Sequence, residues 1–270
     1  MYLFTLKNKL AVVTGGAGLL GIEHGIALRD AGAAVILLDL NEASLKRAVA
    51  AVGQECCTGI VCDITKKASI EAVLQQILGQ FGKVDILVNN AARNPKVEKA
   101  DNSPALSRFE NLEVTDWNLD IAVGLTGAML CAQVFGGWMA KNGGGVIVNI
   151  GSEYALVAPD QTIYRVEGLP EDQQPSKPAT YTVVKHAIVG LTKHLAVYWA
   201  KQGVRVNCLC PGGVEQNQDP AFKEKLTRLI PMGRMAPPDH TRGALIFLCS
   251  DASAFMTGEI VAVNGGRTVW

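Results

Sequence analysis

The sequence has no excess of charge of either sign: 25 Lys and Arg stand against 25 Asp and Glu, for a formal net charge of zero. That leaves no electrostatic footprint for nucleic acid or for an anionic membrane surface, so neither is expected as a partner. No apolar stretch reaches the length expected of a membrane span, and the start, MYLFTLKNKL, has no h-region followed by a small-residue cleavage site. A cytoplasmic protein is the expectation. The seven cysteines never form a C-x-x-C pair: Cys56, Cys57 and Cys62 surround one apolar run, Cys208 and Cys210 another. Reduced core thiols are expected rather than disulfides or a zinc site. Nor do His24, His186, His194 and His240 fall at ligand spacing. They read as structural or surface residues, and no metal site is expected.

What the chain does have is apolar bulk, 49% of its residues, arranged in short β-branched runs that alternate with longer helical patterns. The runs predict strands at 10–14, 34–39, 59–63, 85–90, 145–150, 205–210 and 260–265. Helices are expected at roughly 19–31, 41–52, 67–80, 115–141, 179–201 and 238–250. Such alternation implies an α/β fold, a Rossmann-like doubly wound sheet of seven parallel strands with helices on both faces. The strands are nearly continuous apolar runs, as expected where both faces are covered. No repeat, low-complexity tract or linker divides the chain, so residues 1–270 read as a single domain. Two connections are long, 91–113 and 151–178, and loops of that length in a compact α/β domain are usually functional.

Polar residues and glycines mark the strand ends: Thr14 and Gly15 after the first, Asp39 after the second, Asp63 after the third, Asn89 and Asn90 after the fourth. Ser152 follows the fifth strand, and Pro211 and Gly212 the sixth. Ligands of a doubly wound sheet bind outside the carboxyl ends of its strands, so these six ends outline one crevice.

The loop TGGAGLLG (14–21) lies between a strand and a helix. It fits G-x-G-x-x-G through Gly16, Gly18 and Gly21, and T-G-x-x-G-x-x-G through Gly15, Gly18 and Gly21. In either register, glycines let backbone approach a pyrophosphate at the N-terminus of a helix. Asp39 ends the next strand, where a carboxylate accepts hydrogen bonds from an adenosine ribose and repels a 2′-phosphate. NAD is therefore favoured over NADP, with helix capping as the bland alternative role for Asp39. Asp63 suits an adenine edge, and Asp-Ile-Thr also reads as a helix start.

Tyr181-Thr-Val-Val-Lys185 opens a predicted helix, and i, i+4 spacing sets the phenol and ammonium on one face. A fixed cation there favours phenolate and lowers the tyrosine pKa, so that the side chain can exchange a proton with a substrate hydroxyl. Ser152, at the end of NIGS, could hold the substrate oxygen.

With TGGAG at 14–18, Asp39, Asp63, NNAA at 89–92, NIGS at 149–152, YTVVK at 181–185, RVNCLCPGG at 205–213 and the tail SDASAFMTGEIVAVNGG at 250–266, the chain resembles the short-chain dehydrogenase/reductase family over essentially its whole length. The resemblance implies an oxidoreductase that interconverts a secondary alcohol and a ketone. Its cofactor half would span about 1–113 and its catalytic half about 114–270. Ser152 would orient the substrate and Tyr181 act as general acid/base. Lys185 would bind the nicotinamide ribose and lower the tyrosine pKa. Gly15, Gly18, Leu19, Leu20, Asp39, Asp63, Ile64, Asn89, Ala91, Tyr181, Lys185, Pro211, Gly212 and Val214 would meet the cofactor. A homotetramer, or a homodimer, built on the helices near 115–141 and 179–201 is also implied.

Three departures qualify the match. The middle glycine comes one place early, at Gly18 rather than at Leu19. The family's catalytic asparagine is replaced by Gly124 in AVGLTG. And 28 residues (153–180) separate Ser152 from Tyr181, far more than in compact members. The excess loop, with Tyr164 and Arg165, and the loop NPKVEKADNS after Arg93, with Lys96 and Lys99, would form a polar lid over a hydroxylated, sugar-like substrate. Solvated surface is the bland alternative. NNAARNPKVE, the insertion and the terminal NGGRTVW resemble a bacterial branch linked to flagellin modification and surface-glycan sugars. A 3-oxoacyl-carrier-protein reductase-like or other secondary-alcohol dehydrogenase, a non-catalytic dinucleotide sensor, and a methyltransferase are the competing readings.

Overall fold

In the computed structural model, which describes residues 2–93 and 107–270, seven strands form one parallel sheet: β1 Leu10–Thr14, β2 Ala34–Asp39, β3 Cys57–Val61, β4 Ile86–Asn89, β5 Gly145–Ile150, β6 Val204–Pro211 and β7 Ile260–Val263. Their order is β3-β2-β1-β4-β5-β6-β7. The direction of winding reverses between β1 and β4, the position at which a crevice opens at the strands' carboxyl edge. The registers align that edge: Asp39 lies opposite Val61, Asn89 opposite Asn149, Ile150 opposite Leu209 and Pro211 opposite Val263.

Seven α-helices accompany the sheet among the described residues: α1 Leu19–Asp30, α2 Glu42–Val52, α3 Lys67–Phe81, α4 Val114–Met139, α5 Ala179–Trp199, α6 Pro220–Thr227 and α7 Arg242–Cys249. Strand residues alternate between two cores, as the pleat requires. Leu10 and Val12 of β1 pack with the α3, α4 and α5 side, while Ala11 and Val13 pack with the α1, α2 and α7 side. β3 begins earlier than its apolar run suggested, because Cys57 is buried and pairs with Val35. The short α6 was not anticipated. Its sequence, PAFKEKLT, carries few apolar residues, and its start is set by the Asp219 carboxylate accepting from the Ala221 N–H at 2.9 Å.

The expectation that nothing approaches a membrane span needs correction. By length and composition α4 does so, with a mean hydropathy of 1.6 over 18 residues. Its apolarity has an internal cause: Cys131, Ala132, Phe135 and Met139 are fully buried in the sheet-facing core. Two π turns, Ala122–Thr126 and Ala132–Gly136, interrupt the helix. Three of its four glycines face close neighbours within this chain, while Gly137 meets none among the described residues. Gly124 lies on Val184, Gly127 on Ile64, and Gly136 between Trp199 and Ile147.

The α1–α7 seam carries a buried histidine. His24 is fully buried, with Nε2 3.3 Å from the Thr241 hydroxyl, beside an ion pair of Glu23 with Arg242. Burial, aided by His240, pushes its pKa down to about 3 from an ordinary 6.5. The unfolded chain takes up a proton below about 6.5 that the folded chain refuses. His24 therefore contributes its full stability above that pH and loses it as pH falls toward 3, at most about 1.4 kcal/mol per pH unit. Glu153, pushed by burial up to about 7, acts in the opposite sense between 4.5 and 7, so a difference between two proteins isolates the histidine. His24→Gln should lose less stability than the parent between pH 7 and pH 4 in urea titrations. Parallel losses would exclude this role.

Candidate active site

The glycine loop is shaped by steric limits that differ from one glycine to the next. Gly15 has φ +61°, and a Cβ there would meet the Ala91 Cα at 2.8 Å, so the loops after β1 and β4 touch at the switch point. A Cβ on Gly21 would lie 2.2 Å from the Gly15 carbonyl oxygen, and one on Gly16 would lie 2.7 Å from the Leu37 Cβ. Gly18 is different: it caps α1 with no side-chain hydrogen bond, and a Cβ there would meet only the Gly15 oxygen, at 3.3 Å. The first N–H groups of α1, including those of Leu19 and Leu20, have no side-chain cap to satisfy them, which suits a pyrophosphate. The glycines thus form a cradle that side chains would fill.

Asp39 closes this loop. Its carboxylate accepts from the Ala17 N–H at 3.2 Å and the Asn41 N–H at 3.3 Å, while Asn41 rather than Asp39 caps α2 through the Ser44 N–H. Two lone pairs on each oxygen leave acceptor capacity for a ribose. Asp63 accepts from the N–H and hydroxyl of Thr65, at 3.0 and 2.6 Å, and pairs with Lys66 at 3.0 Å. The hydrogen bond from the Thr65 hydroxyl holds its carboxyl below the usual range. Its structural role is thus the turn that leads to α3, with the buried Ile64 packed beneath Gly127. Asn89 is buried as well: its amide donates to Asn149 Oδ1 at 2.9 Å and to the Ala128 carbonyl at 3.3 Å. Asn90 was read from the sequence only as a strand-end residue of the crevice. It clamps the glycine loop, donating to the carbonyls of Thr14 and Gly15 at 3.0 Å each, while the Thr14 hydroxyl accepts from the Asn90 and Ala91 N–H groups. The doubled Asn in NNAA was the available signal.

Ser152 sits just past β5, its hydroxyl accepting from the Tyr154 N–H at 3.2 Å as it caps the turn Glu153–Ala155. Tyr181 and Lys185 lie one turn apart on α5. The Ser152 hydroxyl faces the Tyr181 phenol and favours its ionised form, and Lys185 donates to the Ile150 carbonyl at 2.8 Å, with its ammonium 5.7 Å from the centre of the Tyr181 ring. The three side chains form one cluster at the crevice. The expected lowering of the tyrosine pKa is not what the site shows. Burial pushes Tyr181 up to about 12, the Ser152 hydroxyl opposes this, and Glu153 adds to it. Lys185 is itself pushed down to about 8 by burial. Its ammonium is engaged by a strand carbonyl rather than by the phenol, and desolvation outweighs the cation.

Beyond β6, the Gly212 N–H donates to Val263 at 3.0 Å, and a Cβ on Gly212 would meet the Asn264 Cα at 2.7 Å. Val214 pairs with Ala236. This fixes the path of Pro211–Val214 along the crevice rim. Glu153, unremarked in the sequence, is buried here, with Oε2 lacking a hydrogen-bond partner among the described residues, and its carboxyl feels the Arg267 guanidinium.

The expected substrate residues are dispersed. The Tyr164 hydroxyl meets the Tyr154 hydroxyl at 3.3 Å and its ring lies on Phe222, which ties the insertion to α6. Arg165 is paired with Glu171 at 2.5 Å and lines an open cleft of about 500 Å³ whose walls include neither Ser152 nor Tyr181. Arg93 pairs with the buried Asp120 at 3.1 Å. Lys96 and Lys99 lie outside the described residues. One cation does reach the cluster: the Lys177 ammonium stands 4.2 Å from the centre of the Tyr181 ring.

Residues 9–164 match the family model described as short chain dehydrogenase, and residues 171–268 match that described as Enoyl-(Acyl carrier protein) reductase. The chain is 34% identical to D-threitol dehydrogenase of Mycolicibacterium smegmatis, covering 98% of this chain and 95% of that one. It is 31% identical to NAD-dependent glycerol dehydrogenase of Listeria innocua, over 98% and 96%. Among solved structures it is similar to a gluconate 5-dehydrogenase from Burkholderia cenocepacia in complex with NADP and tartrate, with TM-score 0.85, 29% identity and coverage of 100% and 98%. The chain belongs to the short-chain dehydrogenase/reductase family.

Proposed function

We propose that this protein is an NAD-dependent dehydrogenase that oxidises a secondary alcohol of a polyol or related sugar-like substrate. The observation that carries this reading is the convergence of Ser152, Tyr181 and Lys185 at the sheet edge that also holds the glycine cradle and Asp39. Similarity to threitol and glycerol dehydrogenases favours a small, multiply hydroxylated substrate over an acyl carrier.

When bound, the nicotinamide supplies the hydride acceptor. The cradle of Gly15–Gly21, the N–H groups of Leu19 and Leu20, and Asp39 would hold its dinucleotide. Asp63, Ile64, Asn89, Ala91, Pro211, Gly212 and Val214 line or brace the same crevice. Ser152 Oγ donates to the substrate oxygen and holds it beside Tyr181. The tyrosine oxygen takes the hydroxyl proton during oxidation and returns it in reduction. Lys185 supplies fixed positive charge beneath both. Homodimeric or homotetrameric assembly in the cytoplasm belongs to the same reading, with α4 and α5 exposing Leu119, Met129, Val197 and Tyr198.

The test is NAD reduction across glycerol, tetritols, pentitols, hexitols and sugar acids, beside hydrophobic secondary alcohols. Turnover confined to the hydrophobic set would sink the substrate assignment. The cofactor assignment has its own variant. Asp39→Ala removes the ribose acceptor and the negative charge, so KM for NAD should rise at least about tenfold, the effect of losing a charged hydrogen bond, while NADP use improves. Parent protein that already prefers NADP would refute it.

A further inference from the structure

The geometry points to Lys177 as a second cation of the active site, a positioning residue that lies over the Tyr181 ring and favours the phenolate form. The inference rests on Tyr181 being the proton acceptor of the reaction proposed above.

The insertion and the preceding loop build this position. Lys177 precedes Pro178, which holds it extended just before α5. The Gln161 side chain grips its backbone at both ends: the Lys177 N–H donates to Gln161 Oε1 at 2.8 Å, and Gln161 Nε2 donates to the Lys177 carbonyl at 3.3 Å. One residue earlier, the Ser176 N–H donates to the Ser107 hydroxyl at 3.1 Å and the Ser176 hydroxyl donates to the Ser107 carbonyl at 2.8 Å. Both long loops thus fix the segment that carries the lysine.

Charge in the neighbourhood keeps the ammonium in place. Asp120, on α4, is buried, and one oxygen accepts from the Thr180 hydroxyl at 2.5 Å while the other faces Arg93 at 3.1 Å. Its field favours protonated Lys177, whereas Lys185 opposes it and burial brings the lysine down to about 8. Tyr181 is faced by Ser152, Glu153, Tyr154 and Cys210 besides the two lysines. An ammonium over a neutral phenol gains a cation–π contact, and over a phenolate it gains a full charge attraction. The difference favours phenolate. It also counters Glu153, which disfavours it. Gly124 cannot supply a side chain to this region, because a Cβ there would lie 2.5 Å from Val184 Cγ1. Lys177 reaches the tyrosine from the opposite loop.

The ammonium assists in the neutral range and loses its charge as pH rises past about 8. The test compares the parent with Lys177→Met, Lys177→Gln and Lys177→Arg. Tyrosinate absorbance is followed against pH after subtraction of Tyr181→Phe, and kcat/KM is followed against pH on whichever polyol the screen identifies. Without the cation, kcat/KM should fall about tenfold near pH 7, a loss that narrows in alkali as Lys177 becomes neutral in the parent. Lys177→Arg should restore most of the rate near pH 7, and, being charged at every pH, should lower the tyrosinate midpoint by about one pH unit below that of the parent and of Lys177→Met. Lys177→Gln should reproduce the Met result if that variant is unstable. A uniform loss of kcat/KM at every pH, or an Arg variant whose tyrosinate titration superimposes on that of Met, would overturn the inference. If the parent oxidises no polyol, the functional reading fails while the tyrosinate titration of the Arg variant still decides the role of this position.

Discussion

Tyr181→Phe is expected to lower kcat by about 10³-fold, within the range supplied by a positioned acid or base, while leaving NAD affinity within about twofold of the parent. The phenylalanine keeps the ring, and with it the edge contact to Tyr154 at 6.3 Å and the cation above it. What disappears is the oxygen that faces Ser152 and that, in the proposed reaction, would receive the proton. The fold should tolerate the change, because the ring's packing is kept and the Ser152 hydroxyl still accepts from the Tyr154 N–H. Calorimetric titration with NAD and steady-state turnover separate the two effects. Unchanged turnover would remove Tyr181 from the chemistry. Intact NAD binding with no turnover by either protein, across the full substrate screen, would favour a dinucleotide sensor.

Gly21→Ala should be nearly as damaging, through a different link in the chain. The added methyl would lie 2.2 Å from the Gly15 carbonyl oxygen and 2.8 Å from the Gly16 Cα, and both are backbone atoms. The loop cannot retreat, since Gly15 already presses on Ala91 and Gly16 on Leu37. The expected loss is about 1–3 kcal/mol of stability, as for overpacked sites, with NAD affinity reduced at least about tenfold as the cradle shifts. Gly18→Ala is the control. Its φ of −79° suits any residue and its Cβ would meet only the Gly15 oxygen, at 3.3 Å, which asks the loop to give far less than Gly21→Ala does, so its melting temperature should fall less. Equal melting of the two variants would show that the loop yields more readily than its contacts imply.

Both variants bear on which glycine register matters. Gly15, Gly16 and Gly21 are each excluded from carrying a side chain by a different neighbour, and those neighbours come from β2 and from the loop after β4 as well as from the loop itself. Gly18 is the least crowded of the four and stands at the N-terminus of α1. The sequence offered two overlapping registers of these glycines, and the fold divides the four into three held by tight packing and one that caps α1.

Much of the fold was legible because its signals are local. A strand buried on both faces must be apolar throughout, and LAVVT, AVILLD and GVIVNI are. The turn to a helix must carry residues that end a strand and cap a helix, and Thr14, Asp39 and Asn41 do so. Ser152, Tyr181 and Lys185 were legible for a related reason: strand end and helix period fix their directions before any packing is known. The tertiary structure decided what depends on residues distant in sequence. It set the direction of the Tyr181 and Lys185 pKa changes, since burial is a property of everything packed around a side chain. It gave Arg93 to Asp120 and Arg165 to Glu171, and it brought Lys177 rather than either arginine to the tyrosine. A spacing rule reaches four residues along a helix; Lys177 reaches its place through Gln161 and Ser107, whose positions depend on two long loops that carry no periodic pattern.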